Sequence, residues 1–364
     1  MNELFLRNLA IDIYGGSHDD AIGVRLDGVP AGEKIDRAEL ARFLARRAPG
    51  STEFGTQRRE ADEAHFLTGL RGGVTDGGRI EAVIYNTNRR SGDYPAVPDV
   101  PRPSHADYAA LVKYGASVDL RGGGHFSGRL TAPLCIAGGI ALQILVRRGV
   151  RIGAHLLSVG GAREGAYDPV SVTESDLALA AAHDFPTVDG AAAAAMQAEL
   201  ETARAAGDSV GGEIECAVLG LPAGLGEHMF WGMENRIAHL AFGIPGLKGI
   251  EFGAGFALAA MRGSEANDPF CTDGARVFTT ENHSGGIQGG MTNGMPLIFR
   301  GAMKPTPSIA REQCSVSLSR MENTTLRVGG RHDPCIAVRA VPVFEAVAAL
   351  AVLDAWLDGK PGEA

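Results

Sequence analysis

Alternation of apolar and polar residues predicts strands over Ala21 to Leu26, Arg79 to Asn86, Glu213 to Leu219 and Pro296 to Arg300. Successive strand side chains point to opposite faces, so Ile80, Ala82 and Ile84 share one face, and Ile214, Cys216 and Val218 share another. Apolar residues three and four apart predict helices over Asp36 to Ala48, Pro133 to Arg148, Ala191 to Ala206, Glu234 to Phe242 and Pro342 to Leu357. In the first of these, Asp36 is placed to cap the helix, with Glu39 three residues on as in a capping box. Strands and helices alternate throughout, which indicates a mixed α and β fold.

One echo runs through this pattern. A strand-like run enters Gly28-Val29-Pro30-Ala31-Gly32 and then a helix; a second strand enters Gly220-Leu221-Pro222-Ala223-Gly224 and then a helix. Each half also closes on a long apolar helix that begins at a proline, Pro133 or Pro342. We expect a single domain of two related halves, about 1–150 and 210–360, with an Ala-rich helical insertion at about 170–208 on the surface.

Composition narrows the class. With 45% hydrophobic residues in 364, a sizeable core is expected, and the 50 glycines fall short of a low-complexity chain. A net charge of −9 supplies no global positive field for nucleic acid or an anionic membrane. The longest apolar stretch, around Cys135 to Val146, is too short to span a bilayer, and the N-terminal segment lacks the pattern of a secretory signal. Five cysteines, spread singly without CxxC, indicate neither a disulfide framework nor a zinc site, and fit a reducing cytoplasm. Five Lys stand against 29 Arg. Most of that bias needs no functional reading, but Arg alone makes bidentate clamps on carboxylate or phosphate.

No P-loop, GxGxxG or HExxH pattern occurs. Gly207-Asp208-Ser209-Val210-Gly211 satisfies G-x-S-x-G formally, but a helix precedes it and a strand follows, the reverse of a nucleophile elbow, so it reads as a helix stop. The chemistry is concentrated elsewhere, in loops that join Gly to His, Arg or Asp: 15–18, 102–107, 121–129, 282–286, 304–308 and 330–335. Glycine lets backbone approach a ligand, while N–H groups, hydroxyls, His and Asp are suited to anions and proton transfer. Taken singly, each loop has an ordinary explanation; six in one chain favour a site.

In order, RPSHADYAALVKYG (102–115), the GGG loop with Ser127 and Arg129, GDSVGG (207–212), LPAGLGE (221–227), NHSGGIQGG (282–290), KPTPS (304–308) and GRHDPCIAVRAVPVFEA (330–346) resemble the chorismate synthase family across essentially the whole chain. The resemblance implies an internally duplicated α+β sandwich of helices between two antiparallel β-sheets, assembled as a homotetramer. It implies elimination of phosphate and a ring proton from 5-enolpyruvylshikimate 3-phosphate to give chorismate. Reduced FMN is required without net redox change, because the departing hydrogen is not beside a carbonyl and a side-chain base alone would struggle with it.

By the same resemblance, His18 meets the leaving phosphate, His105 sits at the flavin N1 and C2 carbonyl edge, and Asp333 manages the N5 proton. Ser17, Arg47, Arg129 and Arg339, with Arg102 as a weaker candidate, hold the substrate. His125, Phe126, Ser127, Gly289, Lys304, Pro305, Thr306, Pro307, Ser308 and Arg331 hold the flavin. The sequence departs from the family at Gly16 and Asp19 around Ser17-His18, at His125-Phe126, at Glu53 and at Pro245-Gly246. These changes bear on flavin and nicotinamide contacts, with Glu53 unfavourable to a nicotinamide phosphate. We expect a monofunctional enzyme fed by an external flavin reductase, rather than one that reduces FMN with NADPH. A ligand-binding relative without turnover is the alternative.

Overall fold

In a computed structural model of the protein, described for residues 2–50, 60–87, 98–329 and 332–359, the chain forms two antiparallel sheets with long helices between them. Along the chain come β1 (Asn2–Phe5), β2 (Ala10–Gly15), β3 (Ala21–Asp27), α1 (Arg37–Arg47) and β4 (His65–Thr68). A small hairpin, β5 (Leu70–Arg71) and β6 (Val74–Thr75), leads to β7 (Ile80–Tyr85), α2 (Asp107–Tyr114) and α3 (Thr131–Val146). Next are β8 (Arg151–Val159), β9 (Ala162–Arg163), α4 (Glu174–Ala182), α5 (Gly190–Ala205), β10 (Gly212–Leu219), α6 (Met233–Ala241), β11 (Leu247–Phe252) and α7 (Gly263–Ala266). The hairpins β12 (Phe270–Thr272) with β13 (Val277–Thr279) and β14 (Ile287–Gln288) with β15 (Met291–Thr292) precede β16 (Leu297–Met303). A last hairpin, β17 (Glu312–Ser317) with β18 (Glu322–Arg327), precedes α8 (Ala337–Trp356).

The first sheet runs β1-β2-β3-β7-β4 and the second β11-β16-β10-β8-β9. Helix α3 packs on β2, β3 and β7, α8 packs on β8 and β10, and the two helices pack on each other, which places the core between the sheets. Their crossing is close: a Cβ at Gly138 would stand 2.2 Å from that of Ala346. Both helices are predominantly apolar on every face, as enclosed helices must be, and the charges that α8 carries, Arg339, Glu345 and Asp354, are each paired.

Several expectations shift. The helix expected to begin at Pro342 begins at Ala337, so the proline lies inside it. Val338, Ala340 and Val341 are buried good neighbours for the core, and their burial outweighs the one backbone bond that proline cannot donate. The capping box at α1 is half formed: Asp36 accepts from Ala38 and Glu39 N–H at 2.8 and 3.1 Å, but its own N–H donates to Gln143 Oε1 at 2.7 Å instead of to Glu39. Residues Gly128–Val146 are long and apolar enough to cross a membrane, contrary to the length judged from 135–146, yet that segment is a core helix, 89% buried. Helix α5 ends at Ala205 with Gly207 at φ 65°, so the G-x-S-x-G pattern is a helix stop.

The two GxPAG turns are wired alike. Thr75 Oγ1 donates to Pro30 O at 2.6 Å and accepts from Glu33 N–H at 2.9 Å; Thr292 Oγ1 donates to Pro222 O at 2.6 Å and accepts from Leu225 N–H at 3.0 Å. At Gly28 (φ 90°) a Cβ would lie 1.9 Å from Asn8 O, and at Gly220 (φ 79°) 2.3 Å from Gly149 O, so both positions demand glycine.

Candidate active site

A cavity of about 1090 Å³ opens between the C-terminal end of α1, the 102–106 and 122–131 loops, the end of α6, the 303–308 segment and the start of α8. The burial that drives the core also shapes its floor, where Leu134 from α3 and Val343 from α8 face in. Helices α1, α3 and α8 are rigid elements, so the charged groups at their ends are held from behind.

The triple glycine makes the nearest wall. Gly122, Gly123 and Gly124 all have positive φ (57°, 91° and 51°). A Cβ on Gly122 would lie 2.2 Å from His18 Cε1, and one on Gly124 would lie 2.0 Å from Asp119 O. The His18 ring therefore rests on bare backbone, and Ser17, buried beneath it, ties back through its N–H to Gly124 O at 3.2 Å. His125 Nδ1 is 2.9 Å from Gly15 O, and Phe126, 40% exposed, presents an apolar ring to the cavity.

The guanidinium groups come next. Arg47 and Arg129 are buried and line the cavity. Arg47 donates Nη1 to Asp62 Oδ2 at 2.6 Å, Nε to Thr131 Oγ1 at 3.0 Å and Nη2 to Gly128 O at 3.2 Å. Arg129 donates Nη1 to Asp62 Oδ1 and Nε to Asn86 Oδ1 at 3.1 Å. Burial, aided by the charge of Arg47, lowers the Arg129 proton affinity below that of a free guanidinium. Burial alone would raise the Asp62 pKa, but Arg47 and Arg129 outweigh it and hold the carboxylate below its ordinary range. Arg339, from the first turn of α8, donates Nη1 to Asp333 Oδ2 at 2.7 Å and Nε to Arg47 O at 3.2 Å. The basic pair that ends α1 is thus more than a complement to the helix dipole: Arg46 forms a bidentate pair with Glu345 at 2.6 and 2.7 Å, and Arg47 serves the cavity.

His105 lines the same cavity. His105 Nε2 is 2.7 Å from Ser308 Oγ, and burial with the charges of Arg102 and Lys304 nearby pushes its pKa down to about 4, so the ring is neutral at pH 7. Arg102 itself is clamped in two bonds of 2.8 Å by the buried Asp107. Ser104 carries φ 57°, uncommon for a residue with a side chain, and its carbonyl accepts from Lys304 Nζ at 2.6 Å. Thr306 Oγ1 is buried and makes no hydrogen bond to any described residue.

The structure therefore brings together Ser17, His18, Arg47, Arg102, His105, His125, Phe126, Ser127, Arg129, Lys304, Thr306, Pro307, Ser308, Asp333 and Arg339. Pro305 does not line the cavity, although its neighbours do. Gly289 is placed apart, in the tight turn between β14 and β15, because that hairpin packs beside Gly226 and Met233. Arg331 and Glu53 lie outside the described residues. Pro245-Gly246, one of the departures from the family pattern, does border the cavity, and Gly246 O accepts from Lys304 N at 3.0 Å. Sequence reasoning missed Asp62, Glu60 and Asn86, which hold the arginines from behind, and His239, Phe242 and His332 at the rim. The acidic run Glu60-Ala61-Asp62-Glu63 was the available signal; nothing in it says that two of its carboxylates point inward.

A pocket with several arginines and a lysine against mostly apolar walls suits a small ligand with more than one anionic group. Comparison with known proteins agrees. A family model described as chorismate synthase matches residues 9–357. The chorismate synthase of Thermococcus kodakarensis is 43% identical, with 98% of both chains covered. That of Lancefieldella parvula is 42% identical over 97% of this chain and 96% of its own. A crystal structure of chorismate synthase superposes with a TM-score of 0.75 at 26% identity, covering 97% of this chain and 93% of the other.

Proposed function

This chain belongs to the chorismate synthase family, lyases that perform the last step of the shikimate pathway, and from that premise we propose the division of labour in its cavity. The reaction is elimination of phosphate from 5-enolpyruvylshikimate 3-phosphate to give chorismate. Arg47, Arg129 and Arg339 receive the two carboxylates and the phosphate of the substrate, since their guanidiniums converge at the end of α1 and the start of α8. His18, laid on the glycine wall beside Ser17, donates to the departing phosphate. Asp333, fixed by Arg339, is the carboxylate available to hold a proton at the reacting face.

The second site in the cavity fits reduced FMN. The buried hydroxyl of Thr306, which has no hydrogen bond among the described residues, offers donors for a phosphate and a polar ring edge together with Ser308, Lys304 and His125 to Ser127. When bound, reduced FMN supplies electron density as phosphate leaves and accepts the ring hydrogen afterwards. His105, neutral and hydrogen-bonded to Ser308, presents an imidazole that can donate at the flavin edge without adding charge. We read the enzyme as monofunctional, supplied with reduced flavin by a separate reductase.

The observation that carries the reading is that Arg47, Arg129 and Arg339 line one cavity together with His18. The test is anaerobic: with chemically reduced FMN the protein releases phosphate and forms chorismate, and absence of turnover overturns the reading. NADPH-driven turnover without added reductase would overturn the monofunctional assignment. Binding without turnover, with FMN no tighter in the presence of substrate, would favour the non-catalytic alternative. We further read the identically wired turns at 28–33 and 220–225 as one unit used twice, the insertion at 170–208 as an addition to it, the protein as a homotetramer, and its five unpaired cysteines as fitting a cytoplasmic location.

A further inference from the structure

A carboxylate outside the cavity lining organises the arginine pair. Asp62 lies in the segment just before β4, with its side chain fully buried behind the cavity wall. Its two oxygens are divided between two guanidiniums: Oδ2 accepts from Arg47 Nη1 at 2.6 Å and Oδ1 from Arg129 Nη1. One side chain thus ties the last residue of α1 to the turn that opens α3, and both arginines line the cavity.

The physical need is plain. Two buried guanidiniums this near to each other repel, and Arg47 and burial together already weaken the hold of Arg129 on its proton. A shared carboxylate offsets that repulsion and fixes both planar forks, so that capture of an anion does not have to order two flexible side chains. Thr131 Oγ1 and Gly128 O complete the hold on Arg47, and Asn86 Oδ1 the hold on Arg129. Arg129 Nη2 remains without a hydrogen bond to any described residue, 3.5 Å from Glu60 Oε2.

We propose that Asp62 is a positioning residue that holds Arg47 and Arg129 as a preformed double clamp for one oxyanion of the substrate, a carboxylate or the phosphate. The proposal rests on the reading of the cavity given above. An amide in place of Asp62 keeps one acceptor and turns an N–H₂ toward the other guanidinium. Asp62→Asn is therefore expected to raise the KM for 5-enolpyruvylshikimate 3-phosphate about 10- to 100-fold while kcat changes less than about threefold, the signature of lost uniform binding. Thr131→Val, which removes the acceptor of Arg47 Nε together with the hydroxyl's own bond to Gly128 O at 2.7 Å, is expected to raise KM about three- to tenfold and keeps the test open where Asp62→Asn does not fold. Calorimetric titration with the substrate and with its dephosphorylated analogue, 5-enolpyruvylshikimate, separates the two oxyanions. A penalty that disappears with the analogue assigns the clamp to phosphate, and one that persists assigns it to a carboxylate. A folded Asp62→Asn enzyme with KM within twofold of the parent, or one that loses kcat at unchanged KM, overturns the proposal. Wild-type protein without turnover fails the functional reading instead, and the two failures are distinct.

Discussion

Two clusters of buried charge in this protein use the same kinds of side chain to opposite ends. In the cavity wall, Asp62 sits between Arg47 and Arg129, and both arginines line the cavity. In the second sheet, His155 of β8 is fully buried between Glu164, bonded to Nδ1, and Glu215 of β10, whose Oε2 is 2.9 Å from Nε2. Glu215 also accepts from Arg300 Nε at 2.7 Å and Tyr167 N–H at 2.6 Å; Glu164 accepts from the N–H groups of Val188 and Asp189. No member of this second cluster lines the cavity. Its bonds run to backbone of the 164–189 segment, so it fastens that segment to the sheet. Buried charge alone does not mark a site: the site is where donors face a cavity that the fold has not filled.

The sharpest way to break this contrast is to compare activity with stability. His105→Ala and Asp333→Asn are expected to lower turnover about 10²- to 10⁴-fold, the range for proton-transfer groups, with little change in unfolding midpoint for His105→Ala and a moderate one for Asp333→Asn, which loses the charge paired with Arg339. Near-normal phosphate release from both, measured anaerobically with reduced FMN, would remove them from the chemistry. In the sheet cluster the order reverses. Glu215→Gln leaves His155 and Arg300 short of their shared counter-charge, and breaking a buried pair in this way costs about 3–5 kcal/mol. Urea unfolding should show that loss while kcat of the folded enzyme stays near the parent value; an equal loss of kcat would join the two regions that we separate.

A pH series sharpens the same point. Burial lowers the His155 pKa, but hydrogen bonds to Glu164 and Glu215 outweigh it, so the folded value is raised above the ordinary 6.5. A raised folded value means that the contribution of His155 is fully present below about 6.5 and is lost as pH climbs through the higher folded value. Unfolding free energy, as the difference between the parent and His155→Gln, should therefore shrink from pH 6 toward alkaline pH. A difference that is flat across this range would show that His155 is neutral in the folded state.

How much of this was legible beforehand differs between the regions for a physical reason. Ile80, Ala82 and Ile84 share a buried face as their alternation says, because one side of β7 meets the core. Strand β10 buries Glu215 and Ala217 as well, since the 164–189 segment covers its outer face, and no periodicity within the strand reports a cover supplied from elsewhere in the chain. Of the six loops that join Gly to His, Arg or Asp, five reach the cavity, and 282–286 does not. Asp62, Glu60 and Asn86 were not legible, because their role is set by burial and by partners as far as 67 residues away, as for Asp62 and Arg129. Pro342 misled for the opposite reason: a local rule yielded to burial of the preceding turn.

The smallest effect we expect lies at Thr306, where cavity and core logic meet in one side chain. Its hydroxyl is buried at the cavity wall without a hydrogen bond to any described residue, whereas its carbonyl accepts from Ser209 Oγ at 2.6 Å and is fully used. Burying a hydroxyl with no partner costs free energy, so a protein that kept it only for packing gains from its removal. Thr306→Val retains the shape and deletes the hydroxyl; stability should be unchanged or slightly higher. If the hydroxyl is held in reserve for the flavin, one ordinary hydrogen bond, about 1 kcal/mol, is lost on binding, and affinity for FMN in the presence of substrate falls about fivefold. Fluorescence titration reads that change directly. A gain in stability with unaltered FMN affinity would move Thr306 out of the site and into the core, and would narrow the flavin contacts to Lys304, Ser308 and the 125–127 turn.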